Sequence, residues 1–111
     1  MSQTRKPPAY LKRDGRAWFK AIAQEYVLTS AAEWELLGQA AAILDRLREC
    51  AAQIAKDGLT VATAAGGLKP HPCANLERDC KTLFARLCRE LRLHDPADDD
   101  DARPPRIPNR R

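Results

Sequence analysis

The feature that most constrains the fold is a long helical segment in the middle of the chain. Ser30-Ala-Ala-Glu33 has the pattern of a capping box, in which the serine oxygen accepts the Glu33 N–H and the glutamate side chain accepts the serine N–H. Gly58 follows Asp57 and is the residue type that commonly ends a helix with a positive φ. The pattern predicts a helix over residues 31 to 57, roughly 40 Å long at 1.5 Å per residue.

Apolar residues recur along this helix at spacings of three and four, which forms a heptad-like seam. The seam consists of Leu37, Ala40, Leu44, Leu47, Ala51 and Ile54. Other apolar groups lie around the helix at Trp34, Leu36, Ile43 and Cys50, so a small three-helix protomer is not expected to cover them all. Burying one more Leu or Ile contributes about 1.5–3 kcal/mol, against about 0–1 kcal/mol for a surface ion pair. We therefore expect self-association.

Two further helices and a hairpin are predicted around the long helix. Leu11 to Tyr26 has apolar residues at helical spacing, although Gly15 weakens the start of that helix. Residues 59 to 63 favour extended structure, and Gly66-Gly67 can reverse the chain into Leu68-Lys69, which predicts a short β-hairpin.

Pro72 suits the first position of a third helix, with His71 near its cap. This helix is predicted to fade at Leu93. One of its faces carries Leu76, Cys80, Leu83, Leu87 and Leu91, and Phe84 and Cys88 widen the stripe. The predicted fold is mainly α, with the third helix packed antiparallel to the long one. The residues expected in core packing or oligomer contacts are Trp34, Leu37, Leu44, Leu47, Ile54, Leu83 and Leu87.

The chain of 111 residues is long enough for one domain with a marginal core, since short chains bury only about 60% of their unfolded surface. We expect a flexible basic arm over residues 1–9, a helical domain over 10–93 and a disordered charged tail over 94–111. No apolar run approaches the roughly 20 residues of a membrane span, and the basic N-terminus lacks an apolar signal region. We therefore expect a soluble, intracellular protein.

Positive charge is concentrated at the N-terminal end. The first 20 residues contain six cations against the single acid Asp14, a local balance of +5. Such segments are either solvated flexible arms or contacts for nucleic acid, and both interpretations remain open. The candidate DNA-binding residues are Arg5, Lys6, Lys12, Arg13, Arg16 and Lys20.

No catalytic or metal-binding constellation is evident. Cys50, Cys73, Cys80 and Cys88 contain no C-x-x-C pair, so we expect reduced, mostly buried thiols, with cross-linking between subunits left open. An Asp run over residues 98–101 is typical of a solvated acidic tail rather than a chelating site. Trp18 and Trp34 lie on apolar helical stripes, which favours core packing over base stacking. We expect no enzyme activity and no cofactor.

Several segments together resemble the small terminase subunit of tailed double-stranded DNA phages. These segments are Gly58-Leu59-Thr60-Val61, then Lys69-Pro70-His71-Pro72, then Glu77-Arg78-Asp79, followed by Leu83, Leu87 and Arg89-Glu90-Leu91. Leu11, Gly15-Arg16 and Trp18 resemble the first helix of the family, so the resemblance spans about residues 8 to 93. Lys12 stands where relatives often have a capping Ser or Thr, which leaves the start of the first helix open.

The resemblance implies a non-enzymatic DNA-packaging protein of the host cytoplasm that is absent from the mature virion. Small terminases of this kind form rings, bind viral double-stranded DNA near the packaging start, and recruit or regulate a large subunit with ATPase and nuclease activities. The hairpin would lie at one rim of such a ring, and the basic N-terminal segment would face the phosphates.

Two other functions remain open at the level of sequence. A dimeric DNA-binding regulator would need a helix-turn-helix, and residues 26 to 30 offer a possible turn. The helix that follows carries Glu33, Glu35 and Asp45 and has no evident row of base-reading side chains. A structural interaction protein without DNA contacts is the third possibility.

Overall fold

A computed structural model describes residues 5–93 of the chain. It contains three helices and one hairpin in the predicted order, which confirms a mainly α fold. The elements are α1 (Arg13–Glu25), α2 (Ala31–Asp57), β1 (Thr60–Ala62), β2 (Leu68–Pro70) and α3 (Pro72–Glu90). Within the described range, no helix is both long enough and apolar enough to cross a bilayer.

The boundaries of α2 are those predicted from the capping box and the glycine. Ser30 Oγ accepts the Glu33 N–H at 3.1 Å, and Glu33 Oε1 accepts the N–H groups of Thr29 at 2.8 Å and Ser30 at 3.2 Å. These backbone donors to the carboxylate, from Thr29 and then Ser30, lower the pKa of Glu33. At the other end, Gly58 has a φ of 90°, which side-chain-bearing residues rarely adopt.

The hairpin connects the long helix to the third one. Its strands are antiparallel, with Thr60 opposite Pro70 and Ala62 opposite Leu68. Gly66 takes a φ of 93° in the turn, and the Thr63 hydroxyl accepts the Gly67 N–H at 3.0 Å. The chain therefore reverses at the predicted glycine pair.

Helix α3 runs back along α2. Cys73, at the start of α3, lies beside Cys50 in the second half of α2, whereas Leu91, just after α3, joins Trp34 and Leu37 in one buried cluster. This arrangement confirms the antiparallel pairing. The same buried cluster also contains Leu11, Phe19 and Leu28.

Both tryptophans pack against aromatic rings. The ring centroids of Phe19 and Trp34 are 5.9 Å apart, and those of Trp18 and Phe84 are 5.1 Å apart. These tilted pairs tie α1 to α2 and to α3 respectively. Trp34 is buried and Trp18 half-buried, as their places on apolar stripes predict.

Three details differ from the sequence predictions. Helix α1 is shorter than the predicted helical segment from Leu11 to Tyr26. Leu11 lies before the helix and is buried there, and the extended backbone of Tyr26 ends the helix. Along α2, Ala51 is exposed and the buried line passes through Cys50 instead.

The third difference is the rotation of α3. Its packed line runs through Cys73, Glu77, Cys80, Phe84, Leu87 and Leu91. Leu76 and Leu83 are 42% and 45% exposed, although the sequence analysis placed them on the buried stripe. The physical reason is the packing of Phe84 on Trp18, which turns both leucines toward the edge of the α2–α3 contact.

Part of the predicted N-terminal arm contacts the folded domain. The Arg5 guanidinium lies 5.6 Å from the Trp34 ring centroid, and the Leu11 N–H donates to the Pro8 carbonyl at 3.2 Å. Residues 5–9 therefore include contacts with the folded domain, and the division of the chain into an arm, a domain and a tail stays a prediction. Residues 1–4 and the predicted tail over 94–111 lie outside the described range.

Candidate functional site

Asp45 of α2 holds the first turn of α1. Its Oδ2 accepts the Lys12 N–H and its Oδ1 accepts the Gly15 N–H, each at 2.7 Å. Lys12 is the N-cap residue and its side chain makes no capping hydrogen bond, so a carboxylate 33 residues away does what a capping box normally does locally. The start of the first helix, which the sequence left open, is therefore set by a buried residue of α2.

Gly15 fits this contact because it has no side chain. A Cβ at this position would lie 2.3 Å from Asp45 Oδ2 and 2.6 Å from the Ala41 carbonyl oxygen. Gly15 thus allows α1 to approach α2 closely, although glycine is otherwise a poor helix former.

Several of the predicted DNA-binding cations surround this junction and already have protein partners. The Lys12 ammonium is hydrogen-bonded to the Glu49 carboxylate, which raises the pKa of Lys12. Arg13 Nε lies 3.4 Å from Asp14 Oδ1, and Arg16 Nη2 donates to the Leu11 carbonyl at 2.7 Å. Their positive charge is therefore partly compensated within the protomer.

The other predicted cations differ from one another. Lys6 and Lys20 are exposed and make no ion pair with any residue in the range 5–93, whereas Arg5 lies over Trp34. Helix α2 adds two cations that the sequence analysis did not select. Arg46 lines a cleft with Lys12, and Arg48 Nε lies 3.5 Å from Asp14 Oδ2. Arg46 and Arg48 are far from the N-terminal cations in sequence, so the sequence alone does not show that they lie close together in the fold.

The Lys-Pro-His-Pro segment forms the junction between β2 and α3. The His71 N–H donates to the Leu59 carbonyl at 2.8 Å, and His71 Nδ1 accepts the Cys73 N–H at 2.9 Å, which caps α3. Because Nδ1 accepts, Nε2 carries the ring proton and donates it to Asp57 Oδ2 at 2.9 Å. The His71 side chain is 6% exposed. It thereby links the end of α2 to the start of α3.

Proline on either side fits this geometry. Pro70 ends β2 and Pro72 is the first residue of α3, where a missing N–H costs no helical hydrogen bond. Lys69 is exposed on β2 and takes no part in the junction contacts described for His71. Most of this segment therefore has a structural role.

The Glu-Arg-Asp segment lies mainly on the surface. Glu77 is half-buried on the α2-facing side of α3, whereas Arg78 and Asp79 are exposed. Arg78 Nη2 donates to Asn75 Oδ1 at 2.9 Å. The exposed pair is thus available for contacts outside the protomer.

The cysteines are free thiols. Burial, followed by interaction with Cys73, raises the pKa of Cys50 to about 11, and burial also raises the pKa of Cys80 and Cys88. These groups stay protonated near neutral pH, which makes them poor nucleophiles. Between residues 5 and 93, no three His, Cys, Asp or Glu side chains are grouped so that they could hold a metal ion.

The predicted packing residues fall into two groups. Trp34, Leu37 and Leu44 are buried in the core of the protomer itself. Leu47, Ile54, Leu83 and Leu87 remain half-buried or exposed. A subunit interface at the second group stays a prediction.

Comparison with known proteins gives one result. Residues 15–102 match the sequence model of a family described as phage terminase, small subunit. No curated protein and no solved structure matches the chain. The matched range includes α1 from Gly15 onward, all of α2, the hairpin and α3.

Proposed function

The chain belongs to the phage terminase small-subunit family, and we propose that it is a non-catalytic DNA-packaging subunit that binds viral double-stranded DNA and recruits and regulates the large ATPase-nuclease subunit. The family match over residues 15–102 is the observation that carries this proposal.

The working form is a ring of several copies. Support comes from large apolar side chains that remain exposed on the protomer: Val27, Leu59, Leu68, Leu76 and Leu83. Leu76 borders a groove between α2 and α3 that is also lined by Cys50 and Cys73. Burying these side chains against a neighbouring copy would remove apolar surface from water. Leu47, Ile54, Leu83 and Leu87 remain the candidate interface residues.

Duplex DNA would be held through its phosphates. Of the N-terminal cations, Lys6 and Lys20 are the most available, and Arg5, Lys12, Arg13 and Arg16 can contribute where phosphates compete with their present partners. One subunit with a few such contacts binds weakly, whereas a ring presents them many times at high effective concentration. Phosphate contacts position the DNA and carry little sequence information.

The large subunit would dock on the tail over residues 95–111. This part of the proposal rests on composition, since the tail begins with acids and ends with Arg103, Arg106, Arg110 and Arg111. Packaging takes place in the host cytoplasm, where this chain would act.

The dimeric regulator has less support. In a helix-turn-helix, the start of the second helix faces the bases. The exposed residues at the start of α2 are Ala31, Ala32 and Glu35, which would present an acid and two methyl groups to DNA. We therefore do not favour this function.

The test is salt-dependent binding of the full chain to duplex DNA, together with the ATPase rate of the large subunit. We expect log affinity to fall linearly with log salt, with a slope of about −0.9 per phosphate contact. Removal of residues 95–111 should abolish ATPase stimulation and spare DNA binding. A full chain that does not bind duplex at low salt and leaves the ATPase rate unchanged would reject the proposed function.

A further inference from the structure

We propose that the outward face of α3 is a phosphate-binding surface for duplex DNA, formed by Arg78, Lys81, Arg89 and Arg92. We call these four residues the α3 basic face. None of them belongs to the N-terminal cluster of cations. The inference rests on the proposed function, because it requires duplex DNA as the ligand.

Three of the four cations are aligned along one side of α3. At 3.6 residues per turn, Arg78, Lys81 and Arg89 lie within about 80° of the helix circumference and extend over roughly 16 Å of its axis. Ala85 lies within the same arc, and Thr82 lies about 20° beyond its Arg89 edge. Both side chains are small and exposed, so no large side chain stands between the cations. A DNA backbone can therefore approach the helix closely.

The positive charge of the α3 basic face is not compensated by acids of the described residues. All four cations are exposed, and none makes an ion pair with any residue in the range 5–93; the hydrogen bond from Arg78 to Asn75 is to a neutral amide. Among nearby acids, Glu77 is half-buried at the packed edge, and Asp79 and Glu90 lie on the opposite flank. Cations such as Lys12 must leave a carboxylate to bind phosphate, whereas those of the α3 basic face need not.

The backbone of Arg92 has a conformation that is usually found at glycine. After α3 the Arg92 N–H donates to the Arg89 carbonyl at 3.0 Å, and the Leu93 N–H donates to the Cys88 carbonyl at 2.9 Å. This is the Schellman arrangement, in which the residue at the Arg92 position is usually glycine. Arg92 has a φ of 59° and is the one non-glycine residue with positive φ in the described part of the chain. An arginine at a position suited to glycine indicates a use for its side chain.

The helix dipole explains only part of the pattern. Cations near the last turn are favourable there, which accounts for Arg89. Arg78 lies in the first half of α3 and Lys81 at its midpoint, and both are beyond the reach of that effect. The helix dipole therefore does not account for the α3 basic face as a whole, whereas binding of an external polyanion does.

The test compares two charge-matched variants by fluorescence anisotropy with a duplex over a range of salt. Lys81→Gln/Arg89→Gln removes two cations of the face, and Lys56→Gln/Lys69→Gln removes two exposed cations that lie outside α3. We expect the first variant to reduce the salt slope by about 1.8 per DNA-engaged subunit and the control to keep the wild-type slope. Arg92→Gly should reduce the slope by about 0.9 while its denaturation midpoint stays equal to or above that of the wild type.

The outcomes separate this inference from the proposed function. A wild-type chain that does not bind duplex overturns both. A wild-type chain that binds while Lys81→Gln/Arg89→Gln keeps its slope overturns the inference alone. If that variant keeps the salt dependence of duplex binding but no longer binds the large subunit, the α3 basic face is a protein-docking surface and its assignment to DNA is wrong. An Arg92→Gly variant that unfolds more easily would show that the arginine serves the helix terminus.

Discussion

Asp45 and Gly15 fit together across the α1–α2 contact. The Asp45 carboxylate accepts the Gly15 N–H at 2.7 Å, and any side chain at Gly15 would collide with the same carboxylate. Since Oδ2 also accepts the Lys12 N–H, one buried acid fixes both the start of α1 and its distance from α2. The basic residues at the start of α1 are placed by this pair.

Gly15→Ala should destabilise the protein by about 1–3 kcal/mol, because the new Cβ overpacks the junction. The gain in helix propensity, up to about 1 kcal/mol, does not offset this loss. Urea unfolding measures the difference. Gly38→Ala is the control: its Cβ would meet the end of the flexible Tyr10 side chain at 2.7 Å, which can move aside, so we expect little or no loss. Equal effects of the two substitutions would contradict the close approach at Gly15.

Asp45→Ala should cost about 2–3 kcal/mol, because it leaves two backbone N–H groups at the start of α1 without an acceptor. Amide hydrogen exchange should show lost protection at Gly15 while the centre of α2 stays protected. Asp45→Asn keeps one acceptor oxygen and should recover part of the stability. Unchanged protection at Gly15 in Asp45→Ala would refute the cap.

The fold was predictable where the signals are local. The capping box, Gly58, the Gly66-Gly67 reversal and Pro72 all gave correct positions, because each depends on residues within one turn. The rotation of α3 was not predictable, since Leu76 and Leu83 match the helical period as well as Cys80 and Leu87 do. The contact between Phe84 and Trp18 decides which stripe faces inward.

The candidate site shows the same limit. Sequence identified the N-terminal cations but neither the Glu49 carboxylate that binds the Lys12 ammonium nor the Asp45 carboxylate that accepts the Lys12 backbone N–H, because both acids lie more than 30 residues away. In the sequence, nothing distinguishes Asp45 from the other acids of the long helix. One signal was present in the sequence: lysine stands at the N-cap position of the short first helix, and a lysine side chain cannot accept a capping hydrogen bond. The acceptor therefore has to come from another part of the chain.

His71→Ala should destabilise the protein by about 2 kcal/mol, because the Cys73 N–H loses its acceptor and the Asp57 carboxylate loses its donor. His71→Asn provides the control, since asparagine caps helices well and should restore the first contact alone. Combined with Asp57→Ala, a double-mutant cycle should give a coupling of about 1 kcal/mol. Additive effects would mean that the two side chains act independently.

Stability should fall with rising pH above about 9, in part through Cys50. Its folded-state pKa is raised to about 11 from an ordinary value of 9.0, so the unfolded chain releases the thiol proton first. Below about pH 9 the Cys50 thiol makes its full contribution to the free energy of unfolding. This contribution is lost progressively as the pH rises toward about 11. Urea midpoints across that interval should decline less steeply for Cys50→Ala than for the wild type. Parallel curves would exclude this role.

Native mass spectrometry of the full chain tests the central claim most directly. A phage terminase small subunit that acts as a ring should give one dominant closed assembly of more than two copies, and Leu76→Ser/Leu83→Ser should shift it toward single protomers without unfolding them. A wild-type chain that stays a monomer or dimer at every concentration would contradict the account.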